Sequence, residues 1–219
     1  MKYTLIYPAV LIIALCFQSC KEEDLSPPLV TLEGEGTVTS VLNEEYNDPG
    51  ATAIDDIDGD ISSSVYIESN VNVDHVGTYT VSYTAVDDAG NVSPPVSRTV
   101  IIYNTAEVYE DIYLATDINI YPDQDTIVYD VAITIDSTVN NRVRLSDFAM
   151  QSGREVFADI QDTAFIIPFQ AMQDSLIDLS VQGMGWINDS LANVDYTHKE
   201  NEVTRLLKME MIRQENGIP

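Results

Sequence analysis

Beyond Pro27-Pro28 the chain is a succession of short runs rich in Val, Ile, Thr and Tyr, each broken by Gly, Asp, Asn or Pro. β-Branched and aromatic side chains suit a pleated, half-buried surface and the breakers are turn formers. The pattern is therefore that of an antiparallel sandwich or barrel, and the expected class is all-β. Hydrophobic residues make up 45% of the chain and charged ones 21%, enough apolar material to bury a core. The chain's 219 residues allow two small domains.

The first of these runs over residues 29–103. Strands are expected at Leu29–Leu32, Thr37–Val41, Ala51–Ile54, Val65–Glu68, Val71–Asp74, Thr78–Val86 and Val96–Tyr103. Seven short strands over such a length suit an immunoglobulin-like β-sandwich. Within Val76-Gly77-Thr78-Tyr79-Thr80-Val81 a tyrosine stands two positions before an apolar residue, as in the tyrosine corner that opens strand F. Four motifs then appear in order: Tyr46-Asn47-Asp48-Pro49-Gly50-Ala51-Thr52-Ala53, Asp55-Asp56-Ile57-Asp58-Gly59-Asp60-Ile61, Val76-Gly77-Thr78-Tyr79 and Asp87-Asp88-Ala89-Gly90-Asn91. Together they closely resemble the bacterial immunoglobulin-like domain found in pesticidal crystal proteins and in many secreted or surface proteins. That resemblance implies a module that spaces, presents or adheres and carries no catalysis.

Residues 104–219 are expected to form a second antiparallel β domain, a meander or small barrel. Its strands are expected at Thr126–Ile135, Val143–Phe148, Ala164–Pro168, Leu176–Gln182, Trp186–Ile187, Leu191–Tyr196 and Val203–Ile212. Val203, Leu206, Leu207 and Met211 would also line one face of a helix, so the last segment reads as strand or helix. The arrangement looks like the C-terminal domain of certain Bacteroidota surface lipoproteins of unknown function.

At the N-terminus, Lys2 precedes an apolar run from Leu5 to Phe17. The run falls short of the roughly 20 residues a membrane span requires and fits a secretory signal over residues 1–19. Ser19-Cys20 then resembles the lipobox of bacterial lipoproteins, in a form similar to the relaxed versions of Bacteroidota. The resemblance implies acylation of Cys20, a tether over residues 20–28 and a lipid anchor in the outer membrane. Lys21-Glu22-Glu23-Asp24 is similar to the export signal that sends such lipoproteins to the cell surface. Cys16 and Cys20 are the only cysteines, so the mature body holds no disulfide.

Charge narrows the partners. With 36 acidic and 10 basic side chains the formal charge is −26, which leaves no basic stripe for nucleic acid. Asp55, Asp56, Asp58 and Asp60 crowd the loop between the expected strands Ala51–Ile54 and Val65–Glu68, and Asp87 and Asp88 lie between Thr78–Val86 and Val96–Tyr103, loops that share one end of such a sandwich. These are the donors calcium takes, and a structural calcium ion is the one cofactor expected. The competing reading is a set of solvated turn aspartates.

His75 and His198 fall in different predicted domains, neither has a histidine partner at i+2 or i+4, and no G-x-S-x-G elbow accompanies them. Zinc chemistry and nucleophilic hydrolysis are not expected, and the protein is read as non-enzymatic. Asp125-Thr126, Asp136-Ser137, Asp162-Thr163, Asp174-Ser175 and Asp189-Ser190 each precede a small or aliphatic residue or threonine. They resemble the O-glycosylation sequon of exported Bacteroidota proteins, which makes Thr126, Ser137, Thr163, Ser175 and Ser190 candidate acceptors. Trp186, the one tryptophan, stands in an apolar setting that suggests the core. Exposed in a groove it would instead be a platform for a sugar ring. The partners expected are thus the membrane, through the anchor, and a polysaccharide or an envelope protein. A purely structural or adhesive role, a place in a polysaccharide-uptake system and a small envelope hydrolase are the alternatives.

Overall fold

The computed structural model describes residues 23–150, 155–173 and 178–214. Its first half is a two-sheet sandwich. One sheet has the order β1 (Leu29–Leu32), β3 (Ala51–Asp55), β4 (Gly59–Asp60). The other has the order β2 (Thr37–Val41), β7 (Val96–Tyr103), β6 (Gly77–Ala85), β5 (Val65–Ser69), with β2 parallel to β7 and the remaining pairs antiparallel. Alternation along β6 and β7 sends Val81, Tyr83, Ala85, Val100 and Ile102 into a core shared with Val30, Leu42 and Ala53. The tyrosine corner is present, since the Tyr79 hydroxyl donates to the His75 carbonyl at 2.8 Å. Val71–Asp74, expected as a strand, is an irregular connection. Val71 and Val73 still pack on the core, which accounts for their apolar spacing without any strand pairing.

The second half is a closed, antiparallel, eight-stranded barrel in which every strand pairs with its neighbours in sequence. Its strands are β8 (Asp111–Tyr121), β9 (Asp125–Ile135), β10 (Arg142–Ser146), β11 (Glu155–Gln161), β12 (Ala164–Gln173), β13 (Asp178–Ile187), β14 (Leu191–Glu200) and β15 (Val203–Arg213). Pairing of β15 with β8 closes the wall, so no edge is left open. Inward positions such as Tyr113, Val131, Leu145, Phe165, Val194 and Met209 fill the interior, leaving a packed core.

The barrel departs from the expected strands in three ways. First, β8 and β11 were not foreseen. In β8 the alternation is blurred, because Asp117 and Asn119 point inward while Ile112, Leu114, Ile118 and Ile120 remain exposed. Second, β13 is a single strand where two were expected. Gly183 and Gly185 interrupt its side-chain pattern but not its ladder with β14. Third, the last segment is a strand: Leu207, Met209 and Met211 are buried at period two.

Pro168 lacks an N–H, and the register of β12 against β13 shifts between Ile167 and Gln170. Here the Gln170 amide stands in for a backbone rung, accepting from the Phe157 N–H at 2.9 Å and donating to the Phe157 carbonyl at 2.7 Å. The turn after β9 meets the sandwich: the Val76 N–H donates to the Ser137 carbonyl, and Asn43 bonds the Thr138 carbonyl and the Asn140 N–H. Fully buried Asn104 ties that turn down by donating to the carbonyls of Asp136, Val139 and Arg142.

Candidate functional site

Two regions carry chemistry, the acidic tip of the sandwich and one outer face of the barrel. At the tip, the turn from β3 to β4 is built by Asp55, whose Oδ1 accepts from the N–H groups of Ile57 and Asp58, both at 2.9 Å. This is Asx-turn chemistry, and it holds the residue in place. Asp55 is 4% exposed, and its second oxygen, Oδ2, has no hydrogen-bond donor. The Asp88 N–H donates to Asp58 Oδ2 at 2.8 Å, which joins the two acidic loops.

The six expected metal ligands are not used alike. Asp55 and Asp58 come together, and a residue outside the expected set joins them: carboxylate oxygens of Asp24, Asp55 and Asp58 lie within 4.8 Å of one another. Asp87 is buried at the same tip, but its oxygens are engaged by the Asn91 N–H at 2.7 Å and the Asn91 amide at 2.8 Å. Burial pushes the Asp87 carboxyl up, yet these bonds and those from the Gly90 and Ala89 N–H groups outweigh it and hold it below the ordinary range. Asp60 bonds the Ser62 hydroxyl at 2.6 Å and is likewise held low by Ser62. Asp56 and Asp88 are exposed.

Asp24 belongs to the tether. Asn91 Nδ2 donates to its carbonyl at 3.1 Å, and the Ser26 N–H donates to its Oδ1 at 3.1 Å. That backbone bond lowers the Asp24 carboxyl, but desolvation and the charges of Asp55, Asp87 and Asp56 raise it further, and the net direction is upward. No signal within the tether itself marks Asp24 as part of this cluster, since its place depends on a contact 67 residues away.

Trp186 corrects an expectation. It is 42% exposed, on the outside of the barrel and not in its core. Period two explains the placement: Leu179, Val181, Gly183, Gly185 and Ile187 face inward, so Met184 and Trp186 face out. The glycines are required on the inner side. A Cβ at Gly185 would lie 1.7 Å from the Asn193 carbonyl oxygen, and one at Gly183 would lie 2.5 Å from Tyr196 Cβ. The spacing Gly183-Met184-Gly185-Trp186 thus carries the signal for an outward Trp186, because it puts both glycines on one face and Met184 and Trp186 on the other.

Trp186 pairs across β14 with Asn193, while Met184 pairs with Asp195 and Asp195 with Lys208. These side chains line a shallow cleft. Beside it runs an apolar groove of about 450 Å³ that includes Ile166, Pro168, Phe169, Met184 and Leu206. An aromatic ring flanked by an amide, a carboxylate and an ammonium can stack on the C–H face of a sugar and bond its hydroxyls.

His75 is an exposed loop residue whose Nδ1 lies 3.0 Å from the Val76 carbonyl. His198 is buried in the barrel, held toward its neutral form by desolvation, and its Nε2 has no partner. Among the glycosylation candidates, Thr126, Thr163 and Ser190 are exposed, and Ser137 is half-buried where the barrel meets the sandwich. Ser175 and Cys20 lie outside the described residues. Among those residues, no helix is long and apolar enough to cross a membrane.

Comparison with known proteins bears on the first half of the chain. No curated protein matches. Among solved structures, a lipoprotein from Bacteroides thetaiotaomicron is 16% identical over 85% of this chain and 100% of that one, with a TM-score of 0.37. A Clostridium perfringens ZmpB structure of the CBM51-2 and INT domains in complex with GlcNAc is 16% identical, covering 87% of this chain but 45% of that one, with a TM-score of 0.30. A family model described as bacterial surface protein, Ig-like domain, matches residues 30–102, the span of the sandwich core and its tyrosine corner. Residues 30–102 thus match, in sequence and in the sandwich they form, the family model of a bacterial surface Ig-like domain.

Proposed function

We propose that this is a non-enzymatic, lipid-anchored protein of the cell surface, in which the Ig-like domain spaces a barrel from the membrane and the barrel binds a polysaccharide through the face around Trp186. The observation that carries the reading is the half-exposed Trp186 beside Asn193, Asp195 and Lys208. A ring held on a rigid strand meets a sugar at low entropic cost, and the polar groups around it supply direction. The Ser19-Cys20 lipobox and the acidic stretch after it support the anchor and its outward display.

The test is affinity electrophoresis of the mature chain through plant, host and microbial polysaccharides, repeated with Trp186→Ala. Retardation by one polysaccharide, abolished by the substitution, is the expected result. A second reading has its own observation: Phe169 and Met184 are 66% and 64% exposed beside Leu206, an apolar stripe suited to a protein partner. Unretarded migration in every gel, with crosslinking of the same face to an envelope protein on intact cells, would replace the glycan by that partner.

A further inference from the structure

At the tip of the Ig-like domain acidic side chains crowd together, and among the described residues no ion pair neutralises Asp24, Asp55 or Asp58. Three carboxylates, Asp24, Asp55 and Asp58, approach within 4.8 Å of one another. Like charges at that separation repel strongly unless something neutralises them. Residues 22–97 contain no lysine or arginine. The next cation, Arg98, is fully buried and committed to Asp48. A second, independent observation points the same way. Asp55 is almost completely buried, its Oδ1 is satisfied by two backbone donors, and its Oδ2 receives none. A buried carboxylate oxygen without a donor costs free energy that a bound cation would recover.

We infer that Asp24, Asp55 and Asp58 form a calcium site that fastens the membrane tether to the tip of the Ig-like domain. All three side-chain donors are carboxylate oxygens, the hard ligands of calcium, with no thiolate or imidazole to favour a transition metal. Calcium tolerates irregular geometry and fills its shell of six to eight oxygens with carbonyls and water, whereas magnesium demands a near-ideal octahedron. Asp87 is not a ligand in this arrangement. Its two oxygens hold Asn91, and the Asn91 amide in turn holds the Asp24 carbonyl, so Asp87 orients the tether through Asn91. Asp58 is steadied by the Asp88 N–H.

The consequence lies in where Asp24 stands, a few residues beyond Cys20. A charged tether is otherwise a flexible, self-repelling linker. Coordination by Asp24 converts it into a fixed strut, so calcium outside the cell would set how the domain stands on the membrane. That consequence, though not the site itself, rests on the lipid-anchor reading.

The experiment is calorimetric titration of calcium into the full chain in detergent, together with hydrogen exchange of the amides of residues 23–28. One ion is expected to bind per chain and to slow exchange in the tether. Asp24→Asn and Asp55→Asn should each weaken binding at least about tenfold, since affinity follows the number of charged ligands. Asn at position 55 keeps the oxygen that builds the turn, and a melting temperature measured without calcium separates lost binding from lost folding. No heat of binding, or binding by Asp24→Asn equal to that of the natural chain, would overturn the inference. Repeating the titration with Cys20→Ala keeps the two readings apart: a variant that leaves the membrane yet still binds calcium retains the site.

Discussion

The Ig-like domain and the barrel each set a carboxylate among tyrosine hydroxyls, and they treat its charge in opposite ways. In the sandwich, Asp48 accepts from Tyr83 at 2.6 Å and from Tyr46 at 3.2 Å and is paired with fully buried Arg98. Arg98 also donates to the carbonyls of Glu33, Glu35 and Gly50 and lies 5.6 Å from the Tyr83 ring. Desolvation raises the Asp48 carboxyl, but the bonds from Tyr83 and the Gly50 backbone and the charge of Arg98 more than offset it, and the group is held low. In the barrel, Asp117 accepts from the hydroxyls of Tyr129 and Tyr196 and is raised by desolvation against those two bonds. The lesson is that two hydroxyl donors do not offset the burial of Asp117, whereas hydroxyls together with a guanidinium more than offset the lesser burial of Asp48. The sandwich thereby carries a fixed ion pair that stitches β7 to three loop carbonyls. The barrel carries instead a carboxyl that burial pushes up.

The most severe way to break this contrast is Arg98→Met. It leaves Asp48 without its cation and three carbonyls without their donor, and loss of one partner of a buried pair costs about 3–5 kcal/mol. Urea unfolding followed by hydrogen exchange of the β6 and β7 amides should show that loss. Fluorescence of Trp186, which reports the barrel, should keep its midpoint. A shared fall in both signals would mean that the two halves unfold together.

Gly185→Ala tests the opposite half and should cost about 1–3 kcal/mol. The added Cβ would meet the Asn193 carbonyl oxygen, a backbone atom that cannot rotate away. Here the Trp186 midpoint should fall while exchange of the β6 and β7 amides stays unchanged. Unaltered fluorescence midpoints would show that β13 and β14 separate without loss of the wall.

The smallest effect sharpens the comparison through pH. A carboxyl raised in the fold favours the folded state below its ordinary pKa, and this contribution is lost as pH rises through the folded value. Asp117→Asn removes the charge that burial opposes while keeping an acceptor for both tyrosines. The variant should therefore be more stable than the natural chain at pH 7.5, by about 1 kcal/mol, with the difference vanishing near pH 4. Asp48 has the reverse sign, its contribution being present at neutral pH and lost only in strong acid. A pH-independent difference between Asp117→Asn and the natural chain would show that the carboxyl is not raised.

Most of the sandwich could be read from sequence because its determinants are local. Gly77-Thr78-Tyr79 builds the corner with its own upstream carbonyl, and Val81, Tyr83 and Ala85 alternate cleanly. The acidic loops were visible for the same reason, since their aspartates bond their own turns. β8 was hidden because its inward face carries Asp117 and Asn119 and its outward face isoleucine and leucine, so local polarity does not say which side is wet. The sequence around Trp186 suggests the core because Met184, apolar like it, is also exposed and the two inward residues that alternate with them, Gly183 and Gly185, are glycines.

By itself, then, the sequence determined the all-β class, the Ig-like domain with its corner, and the acidic character of the tip, all consequences of side-chain period and turn chemistry over a few residues. Tertiary structure alone decided that the second meander closes into a barrel, which depends on β15 meeting β8 across the whole domain. It also decided that Trp186 faces outward beside Asn193, because Tyr196 and the β14 backbone occupy the space inside. The union of Asp24 with Asp55 and Asp58 was decided there too. The physical reason is common to these cases. A local pattern fixes which faces a strand has, but only closure and long-range packing determine which face meets water and which carboxylates are forced to share it.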